Sequence, residues 1–123
     1  MKLIVSIAMA GALGAVLRYS VFTLIGARYF PWATLTVNVV GSLLMGVAYI
    51  VIVEKALTDP ELRHLVMTGM LGAFTTFSAF SLEAWDLAER GQLWLALAYV
   101  LASVVLSIGA LVVGIALARA TLA

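Results

Sequence analysis

Unbroken apolar runs, each long enough to cross a bilayer, leave this chain few ways to fold. A helix needs about 20 apolar residues to span the ~30 Å hydrocarbon core. Four stretches, about 3–26, 32–53, 60–90 and 92–119, reach that length. With 123 residues, 65% of them hydrophobic and 11% charged, a water-soluble domain could not hide its apolar surface. A transmembrane β-barrel would alternate apolar and polar residues, and these runs do not. The expected fold is therefore an all-α integral membrane protein, one domain over 1–123 with four transmembrane helices and a multi-pass membrane location. The net charge of +1, with no basic run, gives no case for nucleic acid. No cysteine is present, so disulfides and thiolate metal sites are excluded. The spans hold no metal-ligand cluster, nucleophile–histidine pair or phosphate loop, so the chain is not expected to be an enzyme.

The first apolar run follows Lys2. Ala8-Met9-Ala10 and Ala10-Gly11-Ala12 mimic signal-peptide cleavage sites, but the apolar core before them is short and the run continues to Ile25. Residues 3–26 therefore read as the first span. Ala10/Gly14 and Gly11/Ala15 are small-residue pairs suited to close helix packing. Arg18 lies inside this span, where a charge costs at least ~2.5 kcal/mol. It is either a snorkelling arginine reaching headgroups or a cation at the mouth of an anion pathway.

Pro31 and Trp32 open the second span, and Glu54-Lys55 close it. Asn38 lies among apolar neighbours, as helix-to-helix glue or as an amide donor to a passing anion. Ser42 and Gly46 mark a face that approaches something closely. Thr58-Asp59-Pro60-Glu61 reads as a helix start, and His64 just beyond it as a solvated residue. Gly91 ends the third span, and Gln92 begins the fourth. The fourth span, 92–119, measures roughly 42 Å at 1.5 Å per residue and must tilt or emerge. Tyr99, Ser103 and Ser107 form a polar stripe on it at i, i+4 and i+8; Ala110, Gly114 and Ala118 continue it as a ridge of small residues.

The third span carries the densest polarity. Gly72 to Ser81 holds two threonines, two serines and three phenylalanines. If helical, Thr75, Ser78 and Ser81 form one stripe and Phe74, Phe77 and Phe80 another. Lipid offers such hydroxyls no partner, so they must be buried in protein or line a wet path. Gly69, Gly72 and Thr75-Thr76 suggest a broken helix whose freed carbonyls need protein, water or a cation. The stretch reads as the wall of an ion pathway, and Glu83 beyond it as a residue of a vestibule.

Four spans put both termini on one side. Lys2, Lys55, Arg63 and Arg119 collect there, against Arg28, Arg90 and, if it snorkels that way, Arg18. Such balance does not fix orientation under the positive-inside rule. Insertion both ways, and an antiparallel dual-topology homodimer, follow naturally.

Four segments together resemble the Fluc/CrcB fluoride channel family over essentially the whole chain: Gly11-Ala-Leu-Gly-Ala-Val-Leu-Arg-Tyr19, Thr34-Leu-Thr-Val-Asn-Val-Val-Gly-Ser-Leu-Leu-Met-Gly46, Gly69-Met-Leu-Gly-Ala-Phe-Thr-Thr-Phe-Ser-Ala-Phe-Ser-Leu-Glu83, and the pair Tyr99 and Ser103. The resemblance implies a homodimer with two antiparallel pores, passively exporting fluoride from the cytoplasm across a bacterial inner membrane. It implies a structural Na⁺ at the dimer centre, held by backbone carbonyls of Gly72 and Thr75. It also places Asn38, Phe77, Phe80, Ser78, Tyr99, Ser103 and Arg18 on the ion pathway. Ala79 departs from the family's usual threonine or serine, which thins the polar track unless Ser81 compensates. Two rival classes are a small four-helix multidrug or cation exporter and a non-transporting membrane subunit. The exporter would want a carboxylate in the first helix, where this chain has Arg18 instead.

Overall fold

A computed structural model describes residues 1–55 and 59–123, and helices are its only regular elements among them. Among the described residues, four stretches are long and apolar enough to cross a membrane: Lys2–Ile25, Trp32–Glu54, Pro60–Glu89 and Leu93–Leu122. We label α1 as Lys2–Ile25, α2 as Trp32–Glu54, α3 as 60–74, α4 as Phe77–Glu89 and α5 as Leu93–Leu122. The expected boundaries agree within a few residues. The last helix runs past Arg119, because Thr121 and Leu122 still fit a helical turn.

Local chemistry sets the ends. The Asp59 carboxylate accepts from the Glu61 N–H at 3.1 Å, with Pro60 in the first helical position. That is the expected cap; Thr58, the first residue of that signal, lies outside the described residues. At the other end of the third span, Gly91 adopts φ 78, a left-handed conformation that costs glycine nothing. This lets the Gln92 N–H reach the Leu87 carbonyl at 2.9 Å and the Gly91 N–H reach Ala88 at 3.1 Å. The paired bonds close α4 in a Schellman turn and send α5 straight back. Two stretches, Tyr49–Glu54 and His64–Leu71, have wider turns, with bonds to the fifth residue back.

Helices α2 and α5, which run in the same direction, pack backbone to backbone. A methyl group on Gly46 would strike the Leu111 carbonyl, and one on Gly114 would strike the Leu43 carbonyl. These two small-residue faces were legible in sequence; their being each other's partner was not. The Glu54–Arg119 ion pair joins the same two helices at 2.8 Å and a separation of 65 residues. That offset puts Thr34 level with Tyr99, Asn38 with Ser103, and Ser42 with Ser107. On the far side α1 lies along α3, with Gly14 against the Met70 carbonyl. The core is small: Leu35, Phe80, Leu87, Ala96 and Tyr99 form one cluster, and Ala48, Ile52 and Leu71 another. Many other apolar side chains, such as Leu101, Val105 and Val112, face outward, as a membrane protein allows.

Candidate functional site

Between α3 and α4 the backbone leaves helical geometry at two residues. Thr75 sits at φ −85, ψ 158 and Thr76 at φ −150, ψ 113, both extended. Gly69 and Gly72 remain helical, so the departure falls on the threonines and not on the glycines. Threonine suits extended backbone, being β-branched. The Thr75 hydroxyl adds a second bond to a carbonyl that already accepts from the Thr75 N–H, and the Thr76 hydroxyl serves an amide that has no helical carbonyl to reach. Thr75 Oγ1 donates to the Leu71 carbonyl at 3.0 Å, and Thr76 Oγ1 accepts from the Ala79 N–H at 3.1 Å, capping α4.

Asn38 holds this junction from α2. Its Oδ1 accepts from the Thr76 N–H at 2.8 Å, and its Nδ2 donates to the Thr76 carbonyl at 3.1 Å. In an uninterrupted helix the Thr76 N–H would serve the Gly72 carbonyl; here Asn38 takes it. The amide is thus a structural clasp, while its second N–H remains for another acceptor. The glue reading of Asn38 describes these two bonds, which join α2 to the residues between α3 and α4.

Asn38, Thr75, Thr76, Phe77, Phe80 and Ser103 share a groove of about 350 Å³. The Ser103 hydroxyl is buried there and has no hydrogen-bond partner on the described chain. A buried hydroxyl without a partner is uncommon and costs ~1–3 kcal/mol. Phe80 is buried beneath the groove, 8% exposed, while Phe77 is 79% exposed above it. Their ring centroids lie 5.4 Å apart at an interplanar angle of 57°, and Phe80 lies 5.2 Å from Tyr99.

The expected residues do not form one track within a single chain. Arg18 and Ser78 line a second groove of about 490 Å³, between α1 and α4, and only Thr76 borders both grooves. Tyr99 is fully buried, and its hydroxyl donates to Glu83 at 3.1 Å. Thr34, also buried, donates to the other Glu83 oxygen at 2.7 Å. Glu83 does border a cleft, of about 190 Å³, beside Arg28, Asp86 and Arg90. The two three-residue stripes also need correction. They assume continuous helix through 74–81, but the extended threonines detach Phe74 and Thr75 from the residues after them. Phe74 packs instead against the space beside Gly41. Ser81 is exposed on the described chain, and its hydroxyl donates to the Phe77 carbonyl at 2.9 Å.

Thr34 is a site residue the sequence reading missed. A signal existed for Thr34: Thr34, Asn38 and Ser42 repeat at i, i+4 and i+8, as Tyr99, Ser103 and Ser107 do on the other helix. Tyr99→Phe is expected to leave Glu83 with one donor and to cost ~1.5–3 kcal/mol, the worth of a hydrogen bond to a charged group. Thermal unfolding in detergent measures it, and an unshifted midpoint would contradict that value.

These features define a class, a multi-pass helical membrane protein with hydroxyls, an amide and phenyl rings gathered at mid-span. The comparisons narrow it. The model of the family described as "CrcB-like protein, Camphor Resistance (CrcB)" matches residues 5–115. A protein of Hahella chejuensis named "Fluoride-specific ion channel FluC" is 52% identical over 120 residues, covering 94% of both chains. One of the same name from Saccharophagus degradans is 56% identical over 114 residues, 91% of this chain and 86% of that one. A third, from Rhodospirillum centenum, is 48% identical over 126 residues and covers both chains completely. The chain belongs to the CrcB-like family.

Proposed function

We propose that this protein is a fluoride channel, carrying F⁻ passively out of the cytoplasm across a bacterial inner membrane. The observation that carries the reading is the partnerless Ser103 hydroxyl beside Asn38 and the Phe77–Phe80 rings, in a chain about half identical to proteins named as fluoride channels. Fluoride is small and strongly hydrated, so a selective path must replace water with strong donors. The Ser103 O–H and the second Asn38 N–H are such donors. Ring edges carry positive potential and bind an anion weakly enough to release it. Ser78 and Arg18, on the other groove, join this path in an antiparallel dual-topology homodimer, where the partner completes each of two pores. Tyr99 then stands behind the path and reaches it only when its hydroxyl leaves Glu83.

The third span is, in this reading, a broken membrane helix. A Na⁺ at the dimer centre fits the donor set: with the Thr76 N–H committed to Asn38, the Gly72 carbonyl is free for a cation, and the Thr75 carbonyl lies in extended backbone beside it. Bound there, the ion would supply positive charge and satisfy those oxygens. Purification with K⁺ or choline in place of Na⁺ is expected to lower dimer stability. An unchanged melting temperature would remove the cation from the proposal.

The exporter alternative is weaker, because the embedded carboxylate, Glu83, is on α4 and already accepts two hydroxyl bonds. The deciding experiment is efflux from loaded liposomes read with a fluoride electrode, with chloride as control. Rapid fluoride loss with chloride retained is expected; vesicles that hold both would sink the reading. Phe80→Ile removes the ring edge from the path and is expected to slow efflux about tenfold, which corresponds to ~1.4 kcal/mol. Unchanged flux from a well-assembled variant would remove the phenyl edge from the mechanism.

A further inference from the structure

All three tryptophans of the chain lie at one end of the helix bundle. Trp32 opens α2, Trp85 lies in the last two turns of α4, and Trp94 is the second residue of α5. They are 54%, 64% and 82% exposed, and Tyr29 in the adjoining loop is 59% exposed. Side-chain hydrogen bonds at this end include Arg28 to Ile25, Thr34 and Tyr99 to Glu83, Thr36 to the Trp32 carbonyl and Arg90 to Asp86, and none among the described residues takes an indole N–H. Three apolar rings, each with an unused donor, thus ring one end. The opposite end carries Lys2, Lys55, Arg63, His64 and Arg119 and no tryptophan; Tyr49 is the aromatic nearest to it.

We propose that Trp32, Trp85, Trp94 and Tyr29 form a one-sided collar that docks in the glycerol and headgroup layer of a phospholipid bilayer. The collar sets the depth of the chain from one end only. Indole suits that layer, since its ring prefers hydrocarbon and its N–H finds lipid carbonyl or phosphate oxygens. Helix length supplies an independent check. From Trp32 to Glu54 is roughly 33 Å and from Trp94 to Arg119 roughly 38 Å, at 1.5 Å per residue. Both exceed the ~30 Å core, so a collar seated at one interface carries the Glu54–Arg119 ion pair out of the hydrocarbon at the other. The two charges that must leave the lipid are the two that the 65-residue offset brings level.

The test is depth-dependent quenching of tryptophan fluorescence in phosphatidylcholine–phosphatidylglycerol vesicles, with nitroxide labels high or low on the acyl chain. The unaltered chain is read first, then chains keeping one tryptophan with the other two changed to phenylalanine. The shallow label is expected to quench more than the deep one in every case, placing each indole about 15 Å from the bilayer centre, half the core thickness. Stronger quenching by the deep label would overturn the collar. So would emission that no lipid label reaches, which would mean that protein covers these rings.

Discussion

Asn38→Asp is expected to abolish fluoride efflux, with a loss of about 1,000-fold or more. The substitution changes one NH₂ into an oxygen and nothing in shape. In place, one carboxylate oxygen can still accept from the Thr76 N–H, but the other faces the Thr76 carbonyl at the present 3.1 Å donor distance. Oxygen opposes oxygen there, and the clasp between α2 and the α3–α4 junction loosens. The donor meant for the anion is lost as well. A full negative charge about 4 Å from the path of F⁻ costs ~4 kcal/mol at an effective dielectric of 20, close to a thousandfold in rate. Electrode-measured efflux checks it, with size-exclusion elution confirming assembly. Efflux near that of the unaltered protein, from a monodisperse sample, would return Asn38 to packing alone.

Gly114→Leu is expected to prevent folding and not merely to weaken transport. At this position a Cβ already collides with the Leu43 carbonyl, and the reciprocal contact of Gly46 with the Leu111 carbonyl locks the crossing from the other side. Backbone cannot rotate away as a side chain can. The helices would have to separate along their length, taking the level pairs Thr34/Tyr99 and Asn38/Ser103 with them. Overpacking of an ordinary core costs ~1–3 kcal/mol, and a backbone-to-backbone collision belongs above that range. Gly109→Leu is the control, because nothing lies within 4 Å of a methyl group there. Loss of monodisperse protein for Gly114→Leu but not Gly109→Leu is expected. Equal yields of the two variants would refute the close crossing.

Much of the architecture was legible because lipid is a severe solvent. Length and apolarity alone determined four helical spans, since no other backbone arrangement in an unbroken apolar run satisfies its own amides. Asp59-Pro60 and Gly91 marked helix ends because capping is local chemistry, complete within a few residues. Polarity at mid-span marked Asn38, the threonine pair and Ser103 for the same reason. The partner of Asn38 was not legible. A side-chain amide can meet any partner within reach, and only folding brought Thr76, 38 residues away, to it.

By itself, then, the sequence determined what must be buried in a membrane, where the ends at Asp59-Pro60 and Gly91 fall, and which side chains are out of place in lipid. Those are consequences of periodicity, capping and transfer free energy, which act over one or two turns. The tertiary structure alone decided who meets whom: Glu83 gathering Thr34 and Tyr99, Glu54 joined to Arg119, and the expected track divided between two grooves. Those partnerships depend on the register of α2 against α5, set where two glycines let backbones touch. A register between distant helices is a property of their packed surfaces and is written in no local stretch of either.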